Sequence, residues 1–183
     1  MQEIKIPIHD ILASAGNCDV ASEHLDEVSY DVGADTYAIP AGIDIDYTLS
    51  NVGDAILLTG SARARVHTEC ARCLAEVTEE LDGDLEGYYL IDPESVPEDR
   101  DAGEFSYVLP DESVDISDAV LAALVVETPV AFLCNEDCKG LCPKCGADLN
   151  EGPCGCAEDE YDPMNPFYAL KDLFPDDKDE GQS

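Results

Sequence analysis

Eight of the nine cysteines in this chain fall into four close pairs: Cys70 with Cys73, Cys134 with Cys138, Cys142 with Cys145, and Cys154 with Cys156. A cysteine thiolate binds a zinc ion at about 2.3 Å, and a two-residue gap lets one tight turn aim two sulfurs at the same ion. Gly146, directly after Cys145, frees the backbone to complete such a turn. Four pairs therefore suit two tetrahedral zinc ions, each closed by four thiolates, which is the coordination of a structural site. The run from Cys134 to Cys156 carries this signal most strongly, and Cys70-Ala71-Arg72-Cys73 carries it less strongly alone.

Spacing leaves three ways of combining the pairs into two sites. Loop closure favours Cys142, Cys145, Cys154 and Cys156 as one compact site, because only eight residues separate its two pairs. Cys70 and Cys73 would then join Cys134 and Cys138 across 60 intervening residues. Cys18 is left over and reads as a small buried or inert thiol. A divalent ion among four thiolates carries a net charge near −2, so Arg72, Lys139 and Lys144 are candidates for compensating it. The plainer reading is that these bases are only solvated.

Catalytic alternatives fit poorly. His67-Thr68-Glu69 spells the first half of a zinc deaminase signature, but Pro143 follows Cys142 where that signature places a proline before its cysteine pair. Neither Cys-x-x-Cys opens a helix after a strand, as a thioredoxin-like pair would. A glycine-rich phosphate loop and a Gly-x-Ser-x-Gly elbow are absent from the sequence. The expectation is a protein that binds rather than catalyses.

With 42 acidic against 9 basic residues, a formal charge of −33 opposes an extended grip on a phosphate backbone and favours a basic protein partner. Five of the nine bases, Arg63, Arg65, Arg72, Lys139 and Lys144, nevertheless sit in or near the cysteine motifs. A small basic face contacting RNA is thus the first alternative. A redox-sensing chaperone that releases zinc on oxidation is the second. The longest apolar run, Ala119 to Val126, has eight residues, too few to cross a bilayer, and the N-terminus lacks a secretory pattern. These features predict a cytoplasmic protein, where thiols stay reduced and metal is the default use of clustered cysteines.

The elements that must position the thiols read as an α+β fold. Ile43, Ile45, Tyr47 and Leu49 alternate with polar residues as a half-buried strand, and Asn51-Val52-Gly53-Asp54 turns the chain. Residues 56–68 form a second strand whose outer face carries Arg63, Arg65 and His67. Val77, Leu81, Leu85 and Tyr89 mark a third strand, with Gly83 and Gly87 as candidate bulges. The first cysteine pair then caps a long antiparallel hairpin. Phe105, Tyr107 and Leu109 suggest a short strand, and Ile4, Ile6 and Ile8 suggest an edge strand. Ile116, Val120, Leu121, Leu124 and Val125 follow helical spacing, with Asp115 or Ser117 as cap and Pro129 as stop, so one helix packs on the sheet. An exposed loop over 92–104 and a short C-terminal helix carrying Phe167, Leu170, Leu173 and Phe174 complete the reading. That helix either packs on the sheet or docks a partner, with Phe167 and Leu170 as contacts. The predicted organisation is a sheet-and-helix domain over 1–133, a cysteine-rich zinc knuckle over 134–156, and an acidic linker, short helix and disordered tail over 157–183.

Cys70-Ala71-Arg72-Cys73-Leu74, the run from Leu133 to Asn150 with Cys154-Gly155-Cys156, and the segment from Asp162-Pro163 to Leu173 together resemble the bacterial YceD-like family, formerly the domain class DUF177. The resemblance covers most of residues 56–174. It implies a role in 23S ribosomal RNA accumulation and processing, and hence in assembly of the large ribosomal subunit. The implied partner is a basic large-subunit ribosomal protein or a pre-50S particle, which leaves room for local rRNA contact. Some relatives lack the middle cysteine cluster, which implies that the compact site is an accessory stabiliser.

Overall fold

In the computed structural model, which describes residues 3–33, 35–92 and 105–156, the strongest alternation in the sequence becomes the centre of a large antiparallel sheet. The elements run β1 (Lys5–Pro7), α1 (His9–Leu12), β2 (Cys18–Leu25), β3 (Val28–Val32), β4 (Asp35–Ile39), β5 (Ile43–Asn51), β6 (Ala55–Glu69), β7 (Glu76–Leu90), β8 (Ser106–Tyr107), β9 (Ser113–Asp115) and α2 (Ser117–Glu127). Ile43, Ile45, Tyr47 and Leu49 of β5 are buried on one face, as their period of two requires. The β5–β6 turn is held by the Asn51 side chain, which accepts the Gly53 N–H at 2.8 Å, with Gly53 at φ +109°. β6 and β7 then pair without interruption from Ala55↔Leu90 to Glu69↔Glu76. The long hairpin carrying Cys70 and Cys73 at its tip is therefore present.

Seven strands form this sheet in the order β2-β5-β6-β4-β3, with β7 on β6 and β8 on β7. Its buried face, from Ile39 through Ile45, Leu58, Val66 and Leu85, meets Val120 and Leu124 of α2. The whole is an α+β fold with few helices. The contacts divide the chain into two compact units, Met1–Gly140 and Leu141–Ser183. Cys134 and Cys138 fall in the first, with the sheet.

Several expectations need correction. Gly83 and Gly87 sit in continuous register opposite Ala62 and Leu58, so neither is a bulge. A Cβ at Gly83 would stand 2.5 Å from the Ala123 carbonyl oxygen, and one at Gly87 would stand 2.8 Å from the Tyr89 ring. Both glycines exist for close approach. The Ile4-Ile6-Ile8 segment is a strand, but β1 pairs with β9 in a separate two-stranded sheet and is not an edge of the large one. The strand expected near Tyr107 is β8, which runs parallel to β7. Cys18 is exposed at the start of β2 and not buried. The 92–104 loop apart from Asp92, the 157–160 linker, the helix with Phe167 and Leu170, and the tail lie outside the described residues.

Neither Asp115 nor Ser117 is the N-cap of α2: that position is Ile116, whose side chain cannot cap, and Asp115 instead binds the entry to the helix from the residue before it. Its Oδ1 accepts the Ser117 N–H at 3.0 Å, the Ser117 hydroxyl at 2.6 Å and the Ile4 N–H at 3.2 Å. Burial works against the charged carboxylate, but these donors outweigh it and hold Asp115 below its usual value of 3.8. A carboxyl depressed in the folded state stabilises fully above the unfolded value and loses that contribution as pH falls through the folded one. Asp115→Ala is therefore expected to cost about 1 kcal/mol near neutral pH, the order of a lost hydrogen bond. In urea titrations the gap between variant and parent should close below pH 4, and a gap that persists there would reject the carboxylate as its source.

Candidate metal centres

The two clusters are built from the same local turn. In the first, the Cys70 N–H donates to the Ala75 carbonyl at 2.8 Å and the Leu74 N–H donates to the Cys70 carbonyl at 2.9 Å. In the second, the Cys142 N–H donates to the Ala147 carbonyl at 2.8 Å and the Gly146 N–H donates to the Cys142 carbonyl at 2.8 Å. The residue after the second cysteine is left-handed in both, Leu74 at φ +61° and Gly146 at φ +72°. This closing turn folds each pair of sulfurs toward one point. Leucine tolerates that conformation poorly, at a cost of about 1 kcal/mol, and its side chain is 60% exposed with little packing to lose. Leu74→Gly should accordingly leave the fold unchanged and raise stability by up to about 1 kcal/mol in denaturant titration; a loss would mean that the leucine packs usefully.

Cys70, Cys73, Cys134 and Cys138 gather with every sulfur within 4.8 Å of the others, as do Cys142, Cys145, Cys154 and Cys156. This is the grouping that loop closure favoured. Two cross-pair sulfur distances in the first cluster are 3.8 Å, Cys70 to Cys138, and 3.6 Å, Cys73 to Cys134. Four sulfurs tetrahedrally placed at 2.3 Å from a zinc ion stand about 3.8 Å apart, so the donor set fits that ion in type and spacing. Both clusters are capable of holding a metal. Cys18 belongs to neither cluster.

The thiols resist ionising together. Hydrogen bonding from the Cys134 backbone draws the Cys70 thiol down to about 6, while the neighbouring sulfurs of Cys138 and Cys73 push Cys134 up to about 12. In the second cluster the backbone N–H groups of Cys145 and Lys144 draw Cys142 down to about 6, and the sulfurs of Cys145 and Cys154 push Cys156 up to about 12. Four negative sulfurs confined this closely repel one another unless a cation joins them. A bound divalent ion would relieve that repulsion and release the remaining protons.

The bases lie in different surroundings. Arg63 is ion-paired with Asp46 and Arg65 with Glu80, both on the exposed face of the sheet. That face also carries Asp44, Asp82, Asp84 and Glu86, because β5, β6 and β7 stand in register there. Two arginines among six carboxylates make a net acidic surface. Arg72 donates its guanidinium to the carbonyls of Cys138 at 2.8 Å and Glu136 at 3.3 Å, and the Ala71 N–H donates to the Phe132 carbonyl at 2.8 Å. The hairpin tip is thereby stitched to the segment carrying Cys134 and Cys138, a contact that no spacing rule signals. Gly140 lets this segment approach, since a Cβ there would stand 2.9 Å from the Arg72 carbonyl oxygen. Lys139 and Lys144 each have an interaction partner as well. Arg72→Ala should weaken zinc retention at the first cluster about tenfold, the usual loss when a group behind the ligands is removed. A competing-chelator titration should show the second cluster unaffected; equal loss at both would reject this role.

Among the described residues no helix is long and apolar enough to cross a membrane. The model of the family described as "Large ribosomal RNA subunit accumulation protein YceD" matches residues 58–174. An uncharacterized protein of Mycobacterium tuberculosis H37Rv is 31% identical over 134 residues, covering 72% of this chain and 64% of its own. An uncharacterized protein of Mycobacterium leprae is 28% identical over 137 residues, covering 75% of this chain and 61% of its own. The chain thus spans less than two thirds of the length of these relatives. The chloroplastic "Large ribosomal RNA subunit accumulation protein YCED homolog 1" of Arabidopsis thaliana is 37% identical over 51 residues, 28% of this chain and 16% of its own. No solved structure matches. With both cysteine clusters inside the matched span, the chain belongs to the YceD (DUF177) family of large ribosomal RNA subunit accumulation proteins.

Proposed function

We propose that this protein is a non-catalytic, zinc-binding assembly factor of the large ribosomal subunit, acting in the cytoplasm to support 23S rRNA accumulation and processing. The family match over residues 58–174 carries the reading. Its two four-cysteine clusters supply closed sites for two zinc ions, which would brace the fold and leave no coordination position for a substrate. Cys70, Cys73, Cys134 and Cys138 hold one ion, and Cys142, Cys145, Cys154 and Cys156 hold the other.

The partner we infer is a basic large-subunit ribosomal protein or the pre-50S particle that contains it. A charge of −33, and an exposed sheet face on which Arg63 and Arg65 are already paired with carboxylates, favour a polycation over bare rRNA. Depleting the protein from its native cell should lower mature 23S rRNA, raise its precursors and reduce the 50S peak in sucrose gradients. Unchanged 23S rRNA and 50S levels on full depletion would sink this function.

A further inference from the structure

Among the described residues, one edge of β7 is open over most of its length. Odd-numbered residues of β7 face β6 with their backbone groups, and even-numbered ones face away, as the Leu90 carbonyl shows by accepting the Val108 N–H at 2.9 Å. Among the described residues only β8 pairs with that outer edge, and only at Tyr89 and Leu90. From Thr78 to Glu86 the edge therefore presents the backbone of Thr78, Glu80, Asp82, Asp84 and Glu86 to a further strand. Beside it runs a groove of about 360 Å³ lined by Asp84, Glu86, Ala119, Ala122, Ala123, Val126 and Glu127. Its floor belongs to α2, whose sequence Ser117–Glu127 is apolar on nearly every side and leaves Val126 79% exposed. A helix apolar all round is usually covered on both sides.

We infer that this edge and groove accept an extended, lysine- or arginine-rich segment of a protein partner, added to the sheet as a strand beside β7. The inference rests on the proposed assembly role and specifies where its basic partner binds. Backbone pairing supplies the affinity of such strand addition, and alternate side chains supply the choice of partner. The side chains flanking the open edge are Glu80, Asp82, Asp84 and Glu86, which favour opposite charges directly across the ladder. A second copy of β7 would set carboxylate against carboxylate, so self-pairing is disfavoured. A basic strand gains on both counts, and its small apolar side chains fit over Ala119, Ala122 and Val126.

The probe is a Lys-Val-Lys-Val-Lys-Val-Lys peptide added to the full zinc-loaded chain, read by amide hydrogen exchange. In the free chain the amides of Glu80, Asp82, Asp84 and Glu86 should exchange fast and those of Leu81 and Leu85 slowly; the peptide should slow the first set. A peptide N-methylated along one edge keeps its charge and should lose this effect. Asp84→Lys with Glu86→Lys, both exposed positions, should bind about tenfold more weakly, equivalent to 1.4 kcal/mol. Equal binding of the N-methylated peptide would overturn the inference, since charge alone would then suffice. So would slow exchange at these amides in the free chain, which would mean that its own segment fills the edge. Cosedimentation with pre-50S particles tests the assembly role separately. A chain that cosediments while the peptide leaves these amides unchanged keeps the role and loses the edge; one that never cosediments loses the role, while peptide protection would still establish a basic-strand site.

Discussion

A strong chelator at neutral pH is expected to unfold the segment from Leu141 to Cys156 while the sheet survives. Among the described residues beyond Gly140 only Cys142 is buried, and the only strand-like pairing is a single bridge between Leu141 and Asp148. Burying one cysteine supplies about 1 kcal/mol, far below the roughly 10–16 kcal/mol that structural zinc contributes in small peptides. Among the described residues no other interaction of that size holds this segment. The amides of Cys142 and Gly146, which close its turn, should lose exchange protection, whereas those of β5 and β6 keep theirs over a core that includes Ile43, Ile45, Leu49 and Leu58. At the first cluster the loss should be confined to the hairpin tip and the segment from Phe132 to Cys138. Native mass spectrometry should find two zinc ions per chain, falling to one when Cys142 and Cys145 are both changed to serine. Protection that persists at Gly146 in metal-free protein would reject the structural role of that centre.

The second large effect is expected from Gly83→Ala. The new methyl would lie 2.5 Å from the Ala123 carbonyl oxygen, 2.7 Å from its carbonyl carbon and 3.0 Å from its Cβ. Two of these atoms are helix backbone, so no side-chain rotation relieves the clash and α2 must lift from the sheet. Lifting it loosens Val120 and Leu124, both fully buried, from Leu81 and Leu85. The cost should reach about 3 kcal/mol, the upper range for overpacking. Gly87→Ala is the control: the atoms its methyl would meet first belong to the Tyr89 side chain and not to backbone, so a smaller adjustment suffices and the cost should stay near 1 kcal/mol. Urea midpoints of the two variants decide the matter, and equal midpoints would show that α2 yields as easily as a side chain.

Strands β5 to β7 were legible because each alternates over a long span with one face buried, a pattern that survives without knowledge of partners. The strands over residues 18–39 were missed for the opposite reason. Along β2 no residue is buried, and β3 and β4 are only five residues long and bury one side chain each, Tyr30 and Ile39, so the alternation they carry is too short to stand out. β1 was visible as a strand from Ile4, Ile6 and Ile8, yet its partner β9 lies more than 100 residues away along the chain, a pairing that alternation cannot encode.

The eight paired cysteines and their grouping followed from the sequence, because thiolate chemistry and short loop closure are local properties. So did the antiparallel hairpin, the helix that packs on it, and the acidic balance of the chain. Tertiary structure alone decided what the arginines do. Arg63 and Arg65 face Asp46 and Glu80 only because three strands stand in register, and Arg72 reaches the Glu136 and Cys138 carbonyls only because the hairpin tip folds against residues more than 60 positions away. Likewise, the glycines read as bulges proved to be points of contact, and the edge of β7 left open among the described residues emerged only once their other strands had found their places. Each of these depends on which distant group arrives opposite a residue, and spacing along the chain does not carry that information.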